Sequence, residues 1–126
     1  MIFHLPLPPS VNNLFATVPA RGKKKARRVH SRSYSAWRVT AGKEISVQRQ
    51  AMPTKRVGGA YKLLIVADWR ERTASNGRGR DLGNFEKAVS DALVWMNIID
   101  DDSLAEEIHL RWGDVVGCEV TVEAIG

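Results

Sequence analysis

With 126 residues the chain is long enough to bury a real core and too short for two ordinary domains. A composition of 44% hydrophobic and 26% charged residues, with no run near the eighteen apolar residues of a membrane span and no charged start and long apolar core at MIFHLPLPPS, excludes a spanning helix and predicts a cytoplasmic protein. The net charge of +5, with an isoelectric point near 9.7, points to a polyanionic partner.

Residues 1–5 alternate Phe3 and Leu5 against Ile2 and His4, which predicts a short strand. Pro6, Pro8 and Pro9 end it, because proline fixes its own backbone angle and biases the residue before it towards extended structure. The loop that follows carries Ser10, Asn12 and Asn13. The two asparagines are candidates to bond phosphates or brace an acidic site, and they are equally suited simply to making the turn. From about residue 20 to 32 the chain is polar, basic and without apolar period, which predicts a flexible arm. Lys23, Lys24, Lys25, Arg27 and Arg28 on that arm are candidate DNA-contacting residues, since each cation that neutralises a phosphate releases counterions.

Residues 34–51 carry Trp37, Ala41, Ile45 and Val47 among polar residues, and we expect a helix that ends before Pro53 with Trp37 anchored in the core. After a turn at residues 55–59, the stretch AYKLLIVAD at 60–68 has the branched apolar residues of a central strand. Residues 69–80 read as a loop with Gly77 and Gly79, bringing Arg70, Arg72, Arg78 and Arg80 up to the next segment as candidates to grip a DNA backbone. Residues 105–112 set Ile108, Leu110 and Trp112 against His109 and Arg111 as a further strand. Residues 119–125 form the last, with Cys118 pointing into a strand face as a small apolar residue. One cysteine excludes an internal disulfide, and with His4, His30 and His109 scattered there is no zinc pattern. The order β-α-β-α-β-β predicts a single α+β domain over residues 1–126, a mixed four-stranded sheet with two helices packed on one face.

The densest chemistry lies in RGRDLGNFEKAVSDALVWMNIIDDDS, residues 78–103. Phe85, Ala88, Val89, Ala92, Leu93 and Met96 recur in steps of three and four, which is one buried face of a helix over residues 84–96. Asn84, Lys87 and Asp91 recur on another face, where Asp91 can pair with Lys87 one turn earlier. Asp81 stands where an acid can cap the first turn and meet the positive end of the helix dipole. The helix has run out by Asn97, Ile98 and Ile99, so Asp100, Asp101 and Asp102 can fold back towards Asp81. Crowded carboxylates raise one another's pKa unless a cation neutralises them, and hard oxygen ligands favour Mg²⁺, Mn²⁺ or Ca²⁺. By spacing alone, a helix cap followed by a solvated acidic turn accounts for the pattern as well as a metal site does.

The string R-D-L-x-N-x-x-K at Arg80 to Lys87, continued by D-A-L at Asp91 to Leu93 and by Asp101-Asp102, resembles the RusA family of Holliday junction resolvases. A second match, Leu5-Pro6-Leu7-Pro8-Pro9-Ser10-Val11-Asn12-Asn13, is similar to that family's L-P-x-P-P-S-x-N-N opening. The resemblance covers nearly the whole chain and is weakest at residues 16–29 and 70–79. It implies a homodimeric, Mg²⁺-dependent endonuclease, with Mn²⁺ as an alternative metal, that resolves four-way DNA junctions in recombination and repair. It also implies a nucleoid-associated protein of a bacterium, phage or prophage. Asp81, Lys87 and Asp102 would be catalytic, and Asp81, Asp101 and Asp102 would hold the metal.

One position departs from the family pattern. Where the family carries a second aspartate two residues after the first, this chain has Gly83. Either a neighbouring acid substitutes, or the protein binds junctions and is impaired in cutting them. A basic RNA- or ribosome-associated protein is a third reading, in which Asp81 and Asp102 have no role.

Overall fold

The computed structural model describes residues 1–20, 22, 25–73 and 81–126. Its centre is strand β4 (Tyr61–Asp68), in which Tyr61, Leu63, Ile65 and Ala67 are buried at the two-residue period of a pleated strand. β5 (Ala105–Gly113) pairs with it in parallel on one side and β6 (Cys118–Ala124) antiparallel on the other. β1 (Ile2–Leu5) lies antiparallel outside β6, giving the order β1-β6-β4-β5. A helical crossover from β4 to β5 supplies the long connection that parallel neighbours need, and the chain then passes across β4 to return antiparallel as β6 on its other side.

Helix α1 (Arg32–Ala51) and helix α2 (Glu86–Trp95) bury Tyr34, Trp37, Ala41 and Ile45, and Ala88, Val89, Ala92 and Leu93, in one core with Phe3, Leu5, Leu63, Ile65, Val120 and Val122 of the sheet. The expected α+β arrangement is therefore present, and the predicted helix faces are the buried ones except at Val47, which is exposed because it lies two residues past Ile45, off the buried stripe. Ser31 caps α1 by accepting the Tyr34 N–H at 3.1 Å. Trp37 anchors α1 as expected and also donates its indole N–H to the Pro6 carbonyl at 2.8 Å, tying the proline loop to the helix. Gln48 exchanges hydrogen bonds with the His4 backbone, accepting at 2.8 Å and donating at 2.7 Å. The outer edge of β1 is thereby covered, which removes a template for pairing with another chain.

Two differences from the sequence expectation matter. Residues 27–30 do not belong to a featureless arm: Arg27–His30 is a strand, β3, paired antiparallel with β2 (Phe15–Val18) in a separate two-stranded ribbon. Aromatic contacts hold its base, with Phe15 and Tyr34 at 5.6 and 4.9 Å from the His30 ring. Secondly, α2 starts at Glu86, two residues later than its periodicity predicts, because Leu82–Asn84 forms a separate 3-10 turn.

Candidate active site

The end of α2 fixes where the acids go. Asn97 adopts a left-handed conformation with φ 59°, the Ile98 N–H bonds the Leu93 carbonyl at 2.9 Å, and the Asn97 N–H bonds the Val94 carbonyl at 3.0 Å. This is the Schellman ending of a helix, with Ile98 and Leu93 both buried beneath it. The chain then turns through Asp100, Asp101 and Asp102 into β5. Asp100 leaves the cluster that the sequence suggested, because Arg56 takes it in a salt bridge.

Asp101 caps the 3-10 turn Asp102–Leu104 by accepting the Ser103 N–H at 3.1 Å. That backbone N–H, and then the Asp102 side chain, hold the Asp101 carboxyl below its ordinary range. Asp102 moves the other way: the hydrogen bond it shares with Asp101, then burial, hold it above the ordinary range. Adjacent carboxylates repel one another, and a cation between them would relieve that repulsion.

Lys87 lies one turn into the same face, its Nζ 3.2 Å from Asp91 Oδ1, the ion pair the four-residue spacing predicts. Its pKa is raised first by the hydrogen bond to Asp91 and more weakly by the charge of Asp102. Asp91, Asp101 and Asp102 line one wall of a cleft of about 280 Å³, and His30, Tyr34 and Arg38 line the other. Arg38 is fixed there by a 2.8 Å hydrogen bond between its Nη1 and His30 Nδ1. These three wall residues were missed in the sequence, where nothing links a helix of residues 34–51 to acids fifty residues on.

Asp81 is exposed, precedes the 3-10 turn with no side-chain cap bond and is not among the residues that line this cleft; the cap position of the α-helix is instead Phe85. Among the described residues, no three of His, Cys, Asp and Glu come close enough to hold a metal ion as a closed cage. The donor chemistry still suits a hard divalent cation, since Mg²⁺ characteristically keeps several waters and takes one or two carboxylates together with substrate phosphates. Asp101 and Asp102 are the residues that could hold it. Gly83 faces open space, with no heavy atom within 4 Å of where a Cβ would sit.

Tyr61 lies beneath the acids. It is fully buried, its hydroxyl has no hydrogen-bond partner, and burial, then the charges of Asp102, Glu86 and Asp101, push its pKa up to about 12. Cys118, also buried, is pushed to about 12 by desolvation, as an inert core thiol should be.

Of the candidate DNA contacts, Lys25, Arg27 and Arg28 are exposed along the β2–β3 ribbon, with the Arg28 guanidinium 3.9 Å over the Phe15 ring. Asn12 and Asn13 form a 3-10 turn with Val11; Asn13 is exposed, and its carbonyl accepts the Ser31 hydroxyl at the foot of α1. Arg70 is drawn back onto the fold, donating to Asp68 at 2.8 Å and to the Val115 carbonyl at 3.1 Å, whereas Arg72 is exposed. Lys23, Lys24, Arg78 and Arg80 lie outside the described residues.

Among the described residues no helix is long and apolar enough to cross a membrane. A search of curated proteins finds no match to the chain. The protein family described as Endodeoxyribonuclease RusA matches residues 6–123, a span that takes in the proline-asparagine loop, both helices and the acidic turn. The match runs over nearly the full length of an α+β fold in which a pair of aspartates shares one cleft with Asp91, the ion-pair partner of Lys87, and the chain belongs to the RusA family of endodeoxyribonucleases.

Proposed function

We propose that this protein is a Mg²⁺-dependent endonuclease that resolves four-way DNA junctions, acting as a homodimer so that two clefts meet two strands. The observation that carries the reading is that Asp101 and Asp102 line one cleft with Asp91, the ion-pair partner of Lys87. A bound divalent cation would polarise the scissile phosphate and lower the pKa of an attacking water. Asp102 and Asp101 would hold that cation, the second kept ionised by the Ser103 N–H. Lys87, protonated and steered by Asp91, would offset negative charge that grows on the phosphate oxygens during cleavage. Lys25, Arg27, Arg28 and Arg72, all exposed, would draw the backbone in without reading its sequence.

Asp81 belongs to the family motif and would join the pair in holding the cation. Gly83 favours a second reading, in which the chain binds junctions and cuts them poorly. Both are tested by a gel shift and a Mg²⁺ cleavage assay on one labelled four-way junction, with the protein as it stands and with Gly83→Asp. The open space at Gly83 means that an aspartate enters without strain, so any gain in cleavage reports on chemistry. Cleavage by the unaltered chain supports the resolvase reading. Binding with cleavage only after Gly83→Asp supports the impaired form, and no preference of either version for branched over linear DNA removes the assignment.

A further inference from the structure

The reading above leaves the Tyr61 hydroxyl without a role. Tyr61 opens β4 and pairs with Ala105 of β5, and the turn that carries Asp102 runs directly into Ala105. Its ring shares the sheet face of Leu63 and Ile65 beneath α2, and its hydroxyl is buried and makes no hydrogen bond among the described residues. Above it α2 supplies Glu86, whose Oε1 is already taken by the hydroxyl of Ser90, a residue only 1% exposed. The charges that act on the phenol are those of Asp102, Glu86 and Asp101, in that order.

A buried donor left unmade is costly, and in folded proteins such a group calls for an explanation, one of which is a partner that arrives in another state. Asp102 lies three residues before Ala105, the strand partner of Tyr61, at the same end of the sheet as the phenol. We propose that Tyr61 is a positioning residue for Asp102, its hydroxyl donating to the Asp102 carboxylate when the Asp101–Asp102 pair holds a divalent cation. This rests on the reading of that pair as metal-holding. Tyr61 thereby orients the carboxylate from below, as outer-shell donors orient metal ligands elsewhere, and such partners typically carry about 10- to 100-fold in metal affinity.

The test uses Mn²⁺ titrated by calorimetry, together with thermal melting in its absence, on the full chain, on Tyr61→Phe and on Asp102→Asn. Phenylalanine removes the hydroxyl and keeps the ring. Tyr61→Phe is expected to melt at or above the unaltered protein without metal and to bind Mn²⁺ about 10-fold more weakly or worse. Asp102→Asn is expected to lose Mn²⁺ binding. If Asp102→Asn loses binding and Tyr61→Phe keeps the full affinity, the role of Tyr61 is overturned and the metal reading stands. If the unaltered chain binds no Mn²⁺, or Asp102→Asn binds it as well, the metal reading falls and Tyr61's role falls with it. If Tyr61→Phe melts far below the unaltered chain without metal, the hydroxyl already has a partner in the metal-free fold and the proposal is overturned.

Discussion

Lys87 and Asp91 hold the clearest charge relation in the cleft, and its consequences can be separated by substitution. The pair is half exposed, so on stability it contributes only about 0.3–0.5 kcal/mol, as exposed pairs four residues apart do. Because the folded pKa of Lys87 is raised, that contribution is complete below the ordinary lysine range and is lost as pH rises through the folded value. Asp91→Asn should bring the Lys87 pKa back down, measurable by NMR titration of its Nζ-bearing methylene. Lys87→Ala should leave melting nearly unchanged and slow junction cleavage by about 10²- to 10³-fold, the loss expected when one aimed donor is removed. The Asp101–Asp102 pair gives the opposite signs. Asp101, depressed, adds stability above its ordinary pKa and loses it as pH falls; Asp102, raised, costs stability as pH rises through its folded value. Asp102→Asn should therefore raise the melting temperature of the metal-free protein at pH 7 while abolishing cleavage, and differential scanning calorimetry beside a cleavage assay checks both. At this scale the sequence was legible for Lys87 and Asp91, whose spacing alone brings them together, and for Cys118. It was not legible for Asp100, since Arg56 lies forty-four positions away, nor for Tyr61, which reads as an ordinary strand residue.

The elements that matter most to the site are the end of α2 and the ribbon β2–β3. Asn97 holds the left-handed turn that sends the chain back to the acids. A β-branched residue there pays about 1–2 kcal/mol for that backbone conformation. Asn97→Val should lower the unfolding free energy by about that amount in urea titration and reduce cleavage further than the stability loss explains, because the acid pair loses its aim. The helix and its end were readable because apolar residues recur at steps of three and four and then stop. The start was read two residues early, since the buried Phe85 continues that apolar pattern while the backbone before it makes a 3-10 turn. The ribbon was missed for a different reason: in FATV and RRVH only Phe15, Val18 and Val29 are even partly buried, so no alternation marks them. What holds the ribbon is tertiary, the stacking of Phe15 and His30 on Tyr34 and of Arg28 on Phe15.

Over the whole molecule, the charges divide between a basic ribbon and an acidic cleft joined by the His30–Tyr34–Arg38 wall. A polyanion attracted by the first is delivered to the second. Junction affinity should fall steeply with salt, and Arg27→Ala should weaken binding to junctions of any sequence alike, lowering the salt slope by about one, as filter binding across a salt series would show. The fold class and helix faces were legible at this scale because hydrophobic period fixes layers. The meeting of ribbon and acids was not, since it depends on where α1 lies against α2. Cutting of branched DNA by this cleft with a divalent metal can be read from one incubation of the unaltered protein with a labelled four-way junction and its linear arms, first in EDTA and then with Mg²⁺ added. Cuts are expected in the junction alone, starting on Mg²⁺ addition and absent for Asp102→Asn. Cleavage in EDTA, cleavage of the linear arms at an equal rate, or full activity in Asp102→Asn would contradict that reading.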